Sequence, residues 1–229
     1  MNAVLMHSQH SPTSPTDLVA EANHRIANNL ALLVGLVRMQ TLSLKKRGEL
    51  TTVEVHHLLD GVAARLHTIS QLHHILSRAS NEAVISLKPH LHEITDALFA
   101  ALSSPDQSVK VMHTGNDCIV LMRQVQPIAL MLCEIFINAI KYAHPSGVPL
   151  IMLVDCSVLA DGKLVLTVSD DGVGLPEGFD PMRSDGMGFK VMRSLAAEIG
   201  ANLQIQSTHL GLTTRLTLPV GAMVGAKLA

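Results

Sequence analysis

Two stretches near the N-terminus place apolar residues at alternating spacings of three and four, and this periodicity restricts the chain more than any other feature. Val19, Ala22, Ile26, Leu30, Leu33 and Val37 form the first stripe. Val55, Leu59, Val62, Leu66, Ile69 and Leu76 form the second, with His73 at the remaining seam position, over a helix from roughly Thr52 to Ser77. Such spacing specifies amphipathic helices. The first opens at Ser14-Pro15-Thr16-Asp17, where a hydroxyl and an early acid suit a helix start. The basic, glycine-containing KKRGE segment between them reads as a turn, so the pair forms an antiparallel hairpin. A hairpin alone gives neither helix a second layer to pack on. Two copies are therefore expected to pair into a four-helix bundle, making the chain a homodimer.

After Ser80-Asn81 the pattern changes to short β-like runs alternating with helices. The fold class is α+β. Strands are expected near Val84 to Leu87, Val109 to His113, Cys118 to Leu121, Leu150 to Val158, Lys163 to Ser169, Asn202 to Ser207 and Thr213 to Leu218. Helices are expected near Pro89 to Leu102, Val125 to Ala143 and Gly188 to Ile199, and Ala160-Asp161-Gly162 carries hairpin chemistry. This divides the chain into a loosely ordered start (1–15), the hairpin (16–80), an α+β domain (81–221) and a short tail (222–229).

Composition narrows the partners. Seventeen basic against 19 acidic residues leave a net charge of −2, and the chain has no Trp, one Tyr and four Phe. Neither a nucleic-acid nor an anionic-membrane partner is expected from that balance, and stacking platforms for single strands are absent. Glu134 and Asn138 interrupt the longest apolar run, so no membrane span is expected, and the opening residues lack an export leader. Cys118, Cys133 and Cys156 are widely spaced inside apolar segments, which fits reduced thiols in a cytoplasmic protein.

Four clusters could carry chemistry. His24 lies about 160° around the helix from the first stripe and is expected to face solvent. A surface histidine is ordinary by itself, but Glu21 and Asn28 share its face and Arg25 adjoins it. A carboxylate near an imidazole raises its basicity, as a nitrogen nucleophile attacking phosphorus requires. On the helix LCEIFINAIKYAHPSG, Glu134, Asn138 and Lys141 step along a face separate from the apolar stripe of Ile128, Leu132, Ile135 and Ala139. That row reads either as a solvated face or as a ligand-binding one. In VSDDGVGLP, Asp170 ends a strand and Gly172 and Gly174 let backbone approach a flat ligand, although an ordinary turn has the same composition. Gly186 and Gly188 open the last helix, where free amides and the helix dipole favour anions. The histidines at 56, 57, 67, 73 and 74 have no accompanying Cys or acid cluster, so packing and solvation account for them better than a metal.

In this order and spacing the clusters resemble the sensor histidine kinase superfamily, in the HWE-like subfamily whose dimerisation helix carries H-R-x-x-N-N-L. Residues His24-Arg25-Ile26-Ala27-Asn28-Asn29-Leu30 match that motif, and Glu134 to Ala143, Asp170 to Pro176 and Gly186 to Gly188 match its nucleotide-site motifs. The resemblance spans about Asp17 to Pro219. It implies a dimerisation and histidine-phosphotransfer hairpin followed by a GHKL-type ATP-binding domain, an α/β sandwich with helices on one face of a mixed sheet. It implies a kinase that phosphorylates His24 from ATP with Mg2+ and passes the phosphoryl group to an aspartate of a response-regulator receiver domain. Asn138 would hold Mg2+, Asp170 would read the adenine amine, and Lys141 and Tyr142 would contact phosphate and ribose. Gly172, Gly174, Gly186 and Gly188 would shape the pocket and its lid, and Thr213 stands near the family's threonine before its last strand. Glu134 matches the position of a general base.

The chain departs from the pattern at three points. Position 25 is Arg, not the acid that the larger histidine kinase group places after its histidine, and Gly211 is followed by Leu212 before Thr213. Only 23 residues precede His24, so the signal is expected through a separate sensory protein. The alternatives are a phosphotransfer protein or response-regulator phosphatase with weak or no ATP use, Asn28 orienting a water, or a dimeric scaffold that only docks a receiver.

Overall fold

The structure, a computed structural model, describes residues 34, 35, 38, 51–78, 84–102, 108–144, 148–184 and 186–219. Val34, Gly35 and Arg38 are helical, inside the first expected helix. The elements that follow are α1 (Thr52–Arg78), β1 (Val84–Ser86), α2 (Leu87–Leu102), β2 (Val109–Gly115), β3 (Ile119–Leu121) and α3 (Met122–Tyr142). Then come β4 (Leu150–Val158), β5 (Leu164–Asp170), α4 (Met187–Glu198), β6 (Asn202–Thr208) and β7 (Gly211–Leu218). Each strand and helix expected from Thr52 onward is present, with ends displaced by no more than three residues.

The larger displacements have local causes. Helix α3 begins at Met122, ahead of the expected Val125, because the Gln124 side chain reaches back and accepts the Leu121 N–H at 3.0 Å. Helix α2 begins two residues before Pro89 because Asp117 accepts from the Lys88 N–H at 3.2 Å and from the Ser86 hydroxyl at 2.6 Å, capping that end. Strand β7 starts at Gly211, since a two-residue connection joins it to β6 with Thr208 opposite Gly211.

Five strands form one mixed sheet in the order β2-β4-β5-β7-β6, and β1 pairs with β3 in a separate antiparallel ribbon. Strand β2 runs parallel to β4, and the other neighbours are antiparallel. A parallel pair needs a crossover, and β3 with α3 supplies it. Helices α3 and α4 pack together over the inner face of the sheet, where Met152, Val154, Leu166 and Val168 are buried opposite Ile128, Leu132 and Phe136. Helix α3 has the length and composition of a bilayer span, but most of it is buried as the central helix of this core.

Helix α1 joins the same core. Ala64 and Ile69 are buried against the second domain, and Gly61, Arg65 and Thr68 lie buried between them and α2 and α3. Of the expected stripe on this helix, Ile69 is buried and Val62 half-buried, whereas Val55, Leu59 and Leu66 are 38%, 58% and 50% exposed. The helix therefore has two working faces: small residues pack on α3, and the apolar row points outward.

The tightest backbone approach is at the start of β7. Gly211 has φ 131°, and a Cβ there would sit 1.9 Å from the Asp170 carbonyl oxygen. Gly211→Ala is therefore expected to cost about 3 kcal/mol through overpacking and backbone strain, read as a lower urea midpoint at unchanged slope.

Candidate functional site

Glu21, His24 and Asn28 lie outside the described residues. The site that can be built is the one around α3. Its second face was expected to be a row of polar side chains open to solvent or ligand, and at Glu134 that expectation is corrected: this carboxylate is buried, with 2% exposure. The reason is Arg65 of α1. Its Nε donates to Glu134 Oε1 at 2.6 Å and its Nη2 to Oε2 at 2.8 Å, a bidentate pair closed off from water. Burial alone would lower the Arg65 pKa, but the Glu134 carboxylate outweighs it and holds the guanidinium above its ordinary value. Deleting either partner of such a pair leaves an uncompensated buried charge, at a cost of about 3–5 kcal/mol.

Around this pair the remaining side chains of the row spread out. Asn138, one turn on, is partly exposed, and Lys141 is half-buried beside Arg65. Burial, and then the Arg65 charge, pulls the Lys141 pKa below the usual lysine value, partly offset by Glu134 and Asp60. Gly61 makes room for both cations: a Cβ there would meet Arg65 Nη1 at 3.1 Å and Lys141 Nζ at 3.7 Å. Tyr142 is 66% exposed at the end of the helix.

Helix α4 closes over the same place. Gly186 is its N-cap residue, and a Cβ on Gly188 would lie 3.2 Å from both Asn138 Nδ2 and Glu134 Oε2. Glycine at 188 thus lets the helix start approach Glu134 and Asn138 directly. The segment leading to it is tied down: Arg193 donates to the carbonyls of Pro181 at 2.7 Å and Ser184 at 2.8 Å, and Phe179 packs on Phe189 with ring centroids 5.7 Å apart.

The third group forms at the end of β5. Asp170 Oδ1 accepts the N–H groups of Gly172 at 3.0 Å and Leu212 at 3.2 Å. Both bonds fall on one oxygen, Oδ1. Burial pushes the Asp170 pKa above the ordinary carboxylate value, against the effect of those two amides. Gly172 is pressed onto the end of α3, where a Cβ would come within 2.5 Å of Ala143 Cα, and the Val173 N–H donates to the Ala143 carbonyl at 3.0 Å. Gly174, at φ 73°, lies against Thr208, whose carbonyl oxygen a Cβ would meet at 2.1 Å. Thr213 pairs with Ser169 of β5 and Gln206 of β6, and it is Leu212 that reaches Asp170, through its backbone.

The structure therefore brings together Glu134, Asn138 and Gly188 at one point of α3, and Asp170, Gly172 and Gly174 at its C-terminal end. Three contributors escaped the sequence reading. Arg65 sits in a row of small residues that could have marked a docking face. Leu212 acts only through its amide, and Arg193 through carbonyls, so neither left a side-chain signal.

The pocket motifs can also accommodate the groups the resemblance implies. A carboxylate held by two amides suits an exocyclic amine, and Asn138 offers a hard oxygen beside a helix N-terminus, where phosphates are favoured.

Comparisons agree with this geometry. A family described as histidine kinase matches residues 21–102, and one described as histidine kinase-, DNA gyrase B-, and HSP90-like ATPase matches residues 124–222. The chain is 24% identical over 222 residues to a blue-light-activated histidine kinase 2 of Erythrobacter litoralis, covering 94% of this chain and 61% of that protein. It is 25% identical over 208 residues to the sensor histidine kinase PdtaS of Mycobacterium tuberculosis, covering 89% of this chain and 39% of that one. The chain thus spans less than two thirds of the length of these relatives. Among solved structures, the histidine kinase domain of the Erythrobacter litoralis blue-light-activated kinase superposes with a TM-score of 0.64 at 25% identity, covering 88% of this chain and 90% of that domain. With both matched regions in this order on a shared fold, the chain belongs to the histidine kinase family, in its HWE-like branch, and carries a GHKL-type ATP-binding domain.

Proposed function

We propose that this chain is the kinase core of a two-component system, with residues 16–80 as the phosphotransfer hairpin and 81–221 as the ATP-binding domain. His24 takes the γ-phosphoryl group of ATP and passes it to an aspartate of a response-regulator receiver domain. The observation that carries the reading is the Asp170 cluster at the C-terminal end of α3 with Asn138 about one turn back along that helix, in a chain that also carries the His24 motif. Asp170 accepts from the adenine amine, and Gly172 and Gly174 shape the pocket by letting the turn beside Asp170 pack tightly on Ala143 and Thr208. Asn138 is the residue that would hold Mg2+, which supplies charge to offset the phosphates. Lys141 adds a cation near the phosphates, and Tyr142 covers the ribose side. Gly186 and Gly188 shape the lid at the start of α4, and Thr213 lines the strand beside Asp170.

In the transfer, a nitrogen of His24 forms a bond to the γ-phosphorus as the bond from phosphorus to the bridging oxygen breaks and ADP leaves. The imidazole proton passes to Glu134 as general base. Glu21 and Asn28 share the His24 face and orient the ring. Pairing into a homodimer is supported by the exposed row of Val55, Leu59 and Leu66. A cytoplasmic setting is supported by Cys118, Cys133 and Cys156, which are free and buried. Burial pushes the Cys133 thiol up to about 12 and raises the other two, so none is a nucleophile near neutrality.

Incubation with γ-labelled ATP and Mg2+ tests the reading. Wild-type protein is expected to take up acid-labile, base-stable label, and His24→Ala and Asn138→Ala none, with His24→Ala still binding nucleotide. A folded wild type that stays unlabelled would favour phosphotransfer or phosphatase action without ATP.

The adenine contact has its own test. Asp170→Asn keeps an oxygen for the two amides but removes the charge, and is expected to weaken ATP binding by about tenfold to a hundredfold, measured by calorimetry. Because burial raises the Asp170 pKa, its carboxylate is protonated earlier on acidification than an ordinary aspartate. Wild-type affinity should fall as pH drops through that raised value, and the Asn variant should not show the step.

A further inference from the structure

Glu134 is assigned the role of base, yet its surroundings keep it from acting. Both carboxylate oxygens are engaged by Arg65, the residue is 2% exposed, and Gly188 closes the opposite side. An imidazole has no path to it while α1 lies on α3. We propose that Arg65 is a positioning residue that latches the kinase shut: the Arg65–Glu134 pair withholds the base while α1 is docked on α3, and phosphoryl transfer requires the two to part. This rests on the reading of Glu134 as the base.

Two further observations mark the pair as built to open. It is electrostatically incomplete, since Arg65 Nη1 is buried with no hydrogen-bond partner among the described residues and the Lys141 ammonium lies beside it. One carboxylate thus faces two cations, and burial already lowers the Lys141 pKa. A buried polar network that leaves a donor unsatisfied holds the docked state above its possible minimum. Among the described residues, α1 meets α3 through the small residues Gly61, Ala64 and Thr68 around Arg65. A contact meant only for stability would be better served by apolar packing of the same volume.

The test is a reversible staple. Thr68 of α1 and Cys133 of α3 are both buried where the two helices pack, so Thr68→Cys places a second thiol near the native one. Oxidation with diamide in mildly denaturing buffer, where the core opens enough to expose both thiols, followed by return to native buffer, should join them, confirmed by mass spectrometry, and hold α1 on α3. The latch predicts that autophosphorylation of Thr68→Cys falls by about a hundredfold or more when oxidised, the loss expected for a withheld general base, and returns on reduction. Wild type treated with diamide is the control and should be unchanged. A second variant, Arg65→Gln, leaves Glu134 without its counter-charge, and the pair should part more readily, raising the labelling rate several-fold over wild type. A purely structural salt bridge would lower that rate in step with folded fraction, measured by circular dichroism. Equal labelling of stapled and reduced protein, or a folded Arg65→Gln no faster than wild type, overturns the latch and leaves the kinase reading standing. Labelling that survives Glu134→Gln overturns the assignment of the base, and no labelling of reduced wild type overturns the kinase reading itself.

Discussion

A carboxylate at the centre of an apolar helix dictates what must surround that helix. Glu134 is flanked in sequence by Cys133 and Ile135, both buried, and cannot reach solvent from its place on α3. Ionised and alone, it would be too costly to bury. A guanidinium is the one side chain that satisfies both oxygens at once in a planar fork, and Arg65 delivers it from a helix about 70 residues earlier. That requirement brings α1 onto α3, and small residues at Gly61 and Ala64 let the two helices approach. The consequence is that α1, in the region matched as histidine kinase, and α3, in the region matched as ATPase, share a core. With α1 in place, the exposed row of Val55, Leu59 and Leu66 is presented on the other side, where the first helix and a second copy have their expected places.

Most of the architecture was legible because its signals are local. Alternating runs fixed the strands, periodic ones the helices, and Asp161-Gly162 the β4–β5 turn, where Gly162 adopts φ 80°. The glycines of the nucleotide motifs were also legible, since Gly172 and Gly174 are the positions where a Cβ would strike backbone. What escaped depends on groups distant in sequence. Glu134 has the same helical spacing whether its face meets water or another helix, and nothing near it in the chain announces Arg65. Read alone, Arg65 is a charged residue on an amphipathic helix, which is most often solvated. Leu212 stands where the family pattern leads one to seek a hydroxyl, and its contribution to Asp170 is an amide that any residue but proline could provide.

The two ends of the site are held by different kinds of force, and this difference explains why only one of them is conditional. At the Asp170 end, the carboxylate is oriented by the amides of Gly172 and Leu212, and the glycine turn is wedged between the end of α3 and the β6–β7 hairpin. Those partners belong to backbone within one sheet and one helix, so they hold as long as the domain is folded. About 7.5 Å of helix axis separates Ala143, against which that turn packs, from Asn138. At the Asn138 end the partners are side chains from separate elements: Arg65 from α1, Lys141 and Glu134 from α3, with Gly188 of α4 fitted over them. Their arrangement changes whenever α1 moves, although the fold of the ATP-binding domain need not. On the proposed reading, a nucleotide is recognised by its base at a preformed surface before the groups at the other end are set for transfer. Recognition then depends on the domain, and chemistry on where α1 lies.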